Sequence, residues 1–232
     1  MPSAFSWPVL VPSALRAPAP VNLGVMLQEV ETMSDEITVQ QGFPDELRSS
    51  AAELYDAAFG AKLAIAMPNP ISRMAVLKAG FNPEFSFVAI RDGEMVGIAG
   101  FKTGQGALTG GISFRVLKDE IGVWGAIRAV LVLALFQRNL VAGQLLMDGI
   151  GVSPKMRGSG IGTKLLHSLI EYAKIEGYRS IRLDVIDTNP AARRLYERVG
   201  FVPVKTEQFA YLKWLLGFGA ATQMKYSPDA QA

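Results

Sequence analysis

Apolar and polar residues along the chain follow two periods, one helical and one extended. Helical spacing begins after Pro44, returns in Ile71–Ala79 before a stop at Gly80, and returns again over Gly160–Ile175. Hairpin signals early in the chain, followed by strand–helix–strand patterns, predict an α+β protein with a mixed sheet. The predicted strands are Glu36–Gln40, Phe85–Ile90, Met95–Phe101, Leu145–Val152, Ile181–Ile186, Val202–Thr206 and Ala221–Tyr226.

One further helix is marked at both ends. Asn189 is expected to cap it, Pro190 suits its first turn and Gly200 ends it. Phe201 then follows as an apolar residue that can fold back onto the helix.

Residues 1–33 differ from the rest of the chain. Prolines at positions 2, 8, 12, 18 and 20 interrupt every apolar run, and charges are few. This pattern lacks the unbroken apolar stretch of a signal peptide. We expect a disordered extension, with Met33 as an alternative start of translation, followed by one domain over residues 34–228.

The segment Ile121–Phe136 is strongly apolar, with Arg128 as its single charge. It is shorter than the roughly 20 residues that a membrane span needs. A buried or lid-like helix is the favoured interpretation, and a membrane-peripheral anchor is the alternative. We therefore expect no membrane span.

Composition excludes several classes of function. The chain has 23 Lys and Arg against 21 Asp and Glu, and the net charge of +2 gives no strong field toward nucleic acid. There are no cysteines, so disulfides and thiolate chemistry are excluded. The single histidine, His167, falls on the polar flank of its predicted helix, and no metal site is expected. A cytoplasmic location is compatible with this composition.

A glycine-rich turn between a strand and a helix carries the clearest chemistry. Three glycines, at 158, 160 and 162, leave main-chain N–H groups open, and the helix N-terminus adds a positive dipole end. Such a turn suits a pyrophosphate, with charge from Arg157 and hydroxyl donors from Ser159 and Thr163. The spacing matches neither the Walker nor the dinucleotide-binding pattern.

The segment Arg157–Gly162 resembles the Arg/Gln-x-x-Gly-x-Gly/Ala signature of the GNAT acetyltransferases. The run Asn189–Phe201 is similar to that family's second signature, Asn-x-x-Ala-x-x-x-Tyr-x-x-x-Gly-Phe. The resemblance is firm over about 145–204 and looser over 36–226.

The resemblance implies a three-layer α/β/α fold and a mostly antiparallel sheet that splays at an acyl-coenzyme A site. It implies acetyl-coenzyme A as acyl donor and a small-molecule or peptide amine as acceptor. Main-chain groups on the strand ending at Val152 would hold the pantetheine arm. The residues implied to bind the coenzyme are Ile150, Gly151, Val152, Arg157, Gly158, Ser159, Gly160, Ile161, Gly162, Thr163, Asn189 and Ala192.

Tyr196 matches the family's general acid, since a phenol can protonate the coenzyme thiolate as it leaves. The base is less clearly marked. Asp148 on the central strand and Asp184 on its neighbour are both candidates, and a chain of waters could replace either.

Two segments depart from the family pattern. An insertion at about 104–143 precedes the central strand, and a second apolar cluster lies between the last strands, comprising Phe209, Tyr211, Trp214, Leu215 and Phe218. Both could enclose the acceptor site, or form the surface of a homodimer. An acyl-coenzyme A-binding sensor or scaffold without catalysis is the alternative function.

Overall fold

The computed structural model describes residues 36–134, 139–208 and 217–228, and these residues form a layered α/β domain. The extension expected at 1–33 lies outside them, as do Phe209, Tyr211, Trp214 and Leu215 of the second apolar cluster. The strands are β1 (Thr38–Gln41), β2 (Ser86–Arg91), β3 (Glu94–Lys102), β4 (Gln144–Val152), β5 (Ser180–Ile186), β6 (Val202–Gln208) and β7 (Ala220–Tyr226). The helices are α1 (Arg48–Ala66), α2 (Pro70–Gly80), α3 (Phe114–Ala134), α4 (Ile161–Ile175) and α5 (Pro190–Val199).

The seven strands form one sheet in the order β1-β2-β3-β4-β5-β7-β6. Every neighbouring pair is antiparallel except β4 and β5, which run parallel. The β2–β3 turn places Asp92 and Gly93 at φ 53° and 77°, as a two-residue hairpin with two positive φ angles requires. The predicted mixed, mostly antiparallel sheet is therefore confirmed.

The parallel pair β4–β5 separates soon after it starts. The two strands are joined only by Gln144–Ser180, Leu145–Ile181 and Leu146–Arg182. From Met147 onward β4 has no strand partner on this side within the described residues. The splay expected from the family resemblance is present, and it opens a gap in the middle of the sheet.

Helices cover both faces of the sheet. A Cβ on Gly97 of β3 would meet Ile161 and Leu165 of α4, whereas one on Gly151 of β4 would meet Leu54 and Ala58 of α1. The inner side of α4 is buried as predicted, through Ile161, Leu165, Leu166, Leu169, Ile170 and Ala173. The structure thus has the predicted three layers.

The α3 helix differs from its prediction. It begins at Phe114 rather than Ile121 and contains a kink at Gly122, whose φ is 72°. Only Leu117, Ala126 and Ala129 are buried, and Trp124 is 84% exposed, so the expectation of a buried helix is wrong for its outer face. The predicted last residues of this helix, to Phe136, reach beyond the described part. Among the described helices, none has the length and apolar character to cross a membrane.

Candidate active site

A cavity of about 540 Å³ occupies the gap between β4 and β5. Its floor and sides come from the second half of β4, from β5, from the turn before α4, and from α1 and α5. Thirteen of the fourteen predicted coenzyme-binding and catalytic residues line this cavity, and Ser159 is the exception. These cavity-lining residues are Asp148, Ile150, Gly151, Val152, Arg157, Gly158, Gly160, Ile161, Gly162, Thr163, Asn189, Ala192 and Tyr196.

A β-bulge marks the point where the cavity begins. Gly100 of β3 pairs with Gly149, whereas Phe101 pairs with Met147, so Asp148 is the extra residue on β4. A bulge leaves its extra residue outside the regular ladder and bends the strand locally. The bulge thus coincides with the separation of β4 from β5.

The main chain of β4 past the bulge presents polar groups to the cavity. Ser153 N–H donates to the carbonyl of Val96 at 2.9 Å, so this pair is hydrogen-bonded to β3. Because antiparallel pairs alternate, the N–H and C=O groups of Val152 and Ile150 point away from β3, toward the missing partner strand. These are the groups that the family resemblance implies would hold the pantetheine arm.

The turn before α4 is open on its outer side. Gly158 and Gly160 have φ angles of 87° and 82°, in the left-handed region that favours glycine, and no atom lies within 4 Å of a Cβ built on either. Gly160, the N-cap of α4, makes no side-chain cap hydrogen bond, and the first residues of α4, Ile161, Gly162 and Thr163, line the cavity. This arrangement suits an anion.

The side chains of the turn are not equally placed. Arg157 is exposed and Thr163 half-buried, and both line the cavity. The Ser159 hydroxyl instead donates to the carbonyl of Met156 at 2.6 Å, and Ser159 is not among the lining residues. Ser159 therefore contributes to the shape of the turn rather than to the cavity wall.

Tyr196 is fixed by the punctuation of α5. Asn189 Oδ1 accepts a hydrogen bond from the N–H of Ala192 at 3.1 Å, and Gly200 ends the helix with φ 104°. Phe201 N–H then donates to the Tyr196 carbonyl at 2.9 Å, and their ring centroids lie 6.0 Å apart. The predicted caps are confirmed, and they hold the tyrosine ring against the sheet.

The Tyr196 side chain is buried yet lines the cavity. Burial raises the pKa of its phenol above the ordinary value of 10, because removal from water disfavours the charged phenolate. The side chain is thus a protonated donor at neutral pH.

Both carboxylate candidates line the cavity. Asp148 lies at the bulge, half-buried. Asp184 on β5 is tied to Arg182 through an ion pair of 3.4 Å. His167 is exposed on α4, as predicted.

One wall of the cavity was missed by the sequence motifs. Ala57, Ala58, Phe59 and Lys62 of α1 line it opposite β4. The Phe59 ring occupies the space that a Cβ on Gly149 would fill. The available signal was the alternate glycines at 149 and 151, which permit a helix to approach the strand closely.

The insertion does not form that wall. None of the described residues between β3 and β4 lines the cavity, so the prediction that the insertion walls the acceptor pocket is not met by them. The physical reason is that α3 packs against α1 and α2 instead of covering the gap. Of the second apolar cluster, Phe218 is described and is buried, and its ring lies beneath the Lys62 ammonium.

Potential metal ligands do not gather in the described part of the chain, where no group of three His, Asp or Glu side chains occurs. The expected absence of a metal stays a prediction.

The described residues thus form an α/β fold with a splayed sheet and a central cleft. An open glycine turn lies at one end of this cleft, and a buried phenol lies beside it. The chain belongs to the GNAT acetyltransferase family, since the family model described as "Acetyltransferase (GNAT) family" matches residues 50–201.

Individual relatives agree with this assignment. The chain is 33% identical over 110 residues to the [Ribosomal protein bS18]-alanine N-acetyltransferase of Haemophilus influenzae, covering 44% of this chain and 71% of that one. It is 39% identical over 54 residues to the thialysine N-epsilon-acetyltransferase of Bos taurus, covering 23% and 32%. Three other curated relatives are matched over only 23–31% of their own length.

A solved structure shows the same fold. A Salmonella typhimurium protein described as an acetyltransferase, with its cofactor acetyl-CoA, superimposes with a TM-score of 0.51. The alignment covers 83% of this chain and 94% of the other, at 17% sequence identity.

Proposed function

We propose that the protein transfers an acetyl group from acetyl-coenzyme A to an amine. One observation carries this proposal: the gap between β4 and β5 runs between the open turn at Gly158–Gly160 and the buried phenol of Tyr196. The names of the relatives support it, because the Haemophilus protein is named for acetyl transfer to an alanine and the Salmonella structure contains acetyl-CoA.

The coenzyme would lie along β4. The diphosphate would accept hydrogen bonds from the main chain of the turn and the start of α4, with added charge from Arg157. The pantetheine arm would take the place of the missing strand, using the main-chain groups of Ile150 and Val152. Asn189 and Ala192 would contact it from the α5 side.

The reaction would proceed by direct attack in a ternary complex. The neutral amine nitrogen attacks the thioester carbonyl carbon and forms the C–N bond, while a main-chain N–H of β4 stabilises the oxyanion. The C–S bond then breaks, and its electron pair leaves with sulfur. The Tyr196 phenol protonates that thiolate, and the surplus proton of the amine nitrogen passes to a base.

Asp148 is the proposed base, directly or through water. Asp148 lies at the bulge where β4 leaves β5, and the proposed position of the thioester is next to it. Asp184, which forms an ion pair with Arg182, is the second candidate.

Replacement of Tyr196 tests the proposal. We expect Tyr196→Phe to lower kcat about 10²-fold or more, the usual contribution of a general acid, with little change in the Kd for acetyl-coenzyme A. Release of free thiol across a panel of amines measures kcat, and calorimetry measures Kd.

Tyr178→Phe provides the matched control, since Tyr178 is a half-buried tyrosine that does not line the cavity. Equal kcat for Tyr196→Phe and wild type would remove the phenol from the mechanism. Binding of acetyl-coenzyme A without turnover of any amine would favour the sensor or scaffold instead. The acceptor class, the homodimer and the cytoplasmic location stay predictions.

A further inference from the structure

The α1 helix runs along β4 in the opposite direction, and this fixes which end of the cavity each of its residues reaches. The carbonyl of Leu54 lies 3.0 Å, and the Cβ of Ala58 3.3 Å, from the position of a Cβ on Gly151. The Phe59 ring covers Gly149, two residues earlier on β4. The main chain of Lys62, one helical turn beyond Phe59, therefore lies toward the bulge, and its side chain extends into the cavity.

Two cations from different elements thus line the cavity. Arg157 belongs to the turn after Val152, whereas Lys62 lies beyond Gly149, toward Asp148. Four residues of strand, roughly 13 Å, separate Asp148 from Val152. A coenzyme whose diphosphate occupies the Arg157 end leaves the Lys62 end for the acceptor.

The Lys62 side chain crosses from α1 to the far side of the gap. Its ammonium nitrogen lies 5.3 Å from the centroid of the Phe218 ring, and Phe218 precedes β7, the strand that pairs with β5. The ring attracts the cation and limits where the flexible stem can place it. An ammonium carries three donors, so it can bind an acceptor group in addition to its existing contacts.

The acceptor end therefore presents one cation and one anion, Lys62 and Asp148, to a bound molecule. The other charged residues that line the described cavity are Arg157 in the turn, Asp184 on β5 and Arg198 on α5. A molecule with an amine near Asp148 and an anionic group near Lys62 matches this pair. A simple polyamine would place like charge against Lys62.

We propose that Lys62 determines acceptor specificity by binding a carboxylate, and that the acceptors are amino acids. This inference rests on the proposed function, since it names the molecule that receives the acetyl group. Lys62 touches the part of the acceptor that does not react, so its contribution appears in selection among acceptors.

The test compares acceptors that differ only in their charge. Phenylalanine and lysine are each paired with the corresponding carboxamide, and kcat/KM is measured for wild type, Lys62→Met, Lys62→Gln and Lys62→Arg. In each protein, the kcat/KM of the acid is divided by the kcat/KM of its carboxamide. Dividing the wild-type ratio by the variant ratio then cancels the different reactivities of the amines. Lys118→Met serves as control, because Lys118 is a surface lysine on α3 away from the cavity.

We expect the acid-to-amide ratio to fall about tenfold in Lys62→Met and Lys62→Gln, the lower range for a charge-assisted hydrogen bond. Lys62→Arg should retain most of the wild-type ratio, and Lys118→Met all of it. Equal ratios in wild type and both neutral variants overturn the proposal. Ethanolamine against phosphoethanolamine forms a second arm, and a larger dependence on Lys62 there would overturn the carboxylate in favour of a phosphate.

Calorimetric titration of the same amino acids into protein saturated with coenzyme A separates this inference from the proposed function. If no amine is turned over while the acids bind about tenfold more weakly to Lys62→Met, the carboxylate site stands and the transferase fails. If carboxamides and acids are turned over equally and Lys62→Met changes neither rate, the transferase stands and the carboxylate site fails. Absence of binding by every acid overturns the site.

Discussion

Tyr196 illustrates how one residue's chemistry depends on both motif and burial. The motif places a phenol on α5, and the caps at Asn189 and Gly200 orient it. Burial then raises the pKa of the phenol, so the side chain stays protonated throughout the neutral range. Burial is the cause of this shift.

The raised pKa of Tyr196 predicts a stability effect at high pH. The folded pKa exceeds the unfolded value of about 10, so the fold favours the protonated phenol. Its contribution is full below about pH 10 and is lost as the pH rises from there toward the folded pKa. We expect the free energy of unfolding, measured in urea, to fall more steeply above about pH 10 in wild type than in Tyr196→Phe.

Other tyrosines titrate in both proteins and cancel in this comparison. Tyr178→Phe reports the effect of losing a tyrosine that does not line the cavity. Parallel loss of stability in wild type and Tyr196→Phe would contradict the buried, protonated phenol.

At the scale of elements, the contact between α1 and β4 shapes the cavity. Gly149 has no side chain, and the Phe59 ring occupies the space beside it. We expect Gly149→Ala to lower the free energy of unfolding by about 1–3 kcal/mol, because the added methyl forces the ring to move. In the Phe59→Ala background the same change should cost at least about 1 kcal/mol less.

Gly104→Ala is the matched control for this cycle. No atom lies within 4 Å of a Cβ on Gly104, so its effect should stay within about 0.5 kcal/mol. Additive effects of Gly149→Ala and Phe59→Ala would show that ring and strand are not in contact.

The elements also show where sequence patterns succeed and where they fail. The caps of α5 were predictable, because cap residues interact with main-chain groups only a few positions away. The limits of α3 were not, since its outer face carries exposed apolar residues such as Trp124 and Leu131. Apolar content indicates burial only on average, and the packing of α3 on α1 and α2 decided which residues were covered.

The sheet of the described residues consists of two parts joined at a narrow seam. Strands β1 to β4 form one part and β5, β7 and β6 the other, with three residue pairs between β4 and β5. A coenzyme in the gap would contact both parts and bind only the folded chain. At 100 times its Kd such a ligand adds about 2.7 kcal/mol of stability.

We expect acetyl-coenzyme A to raise the Tm by roughly 5–10 °C at that concentration, given the usual shift for a chain of this size. Gly160→Asp should largely remove the increase, because its carboxylate repels the diphosphate. Gly177→Asp is the control, as Gly177 has a similar φ of 71° but does not line the cavity. A full increase in Gly160→Asp would place the diphosphate elsewhere.

The sequence by itself determined the features that depend on near neighbours along the chain. These are the open turn at 158–162, the caps of α5, the position of Tyr196 and the hairpin at Asp92–Gly93. Only the tertiary structure decided that Asp148 forms a bulge opposite Gly100, that β4 leaves β5 after Leu146, and that Lys62 reaches Phe218. Each of these joins positions far apart in the chain, and their register depends on the packing of all seven strands and the helices over them rather than on local preference.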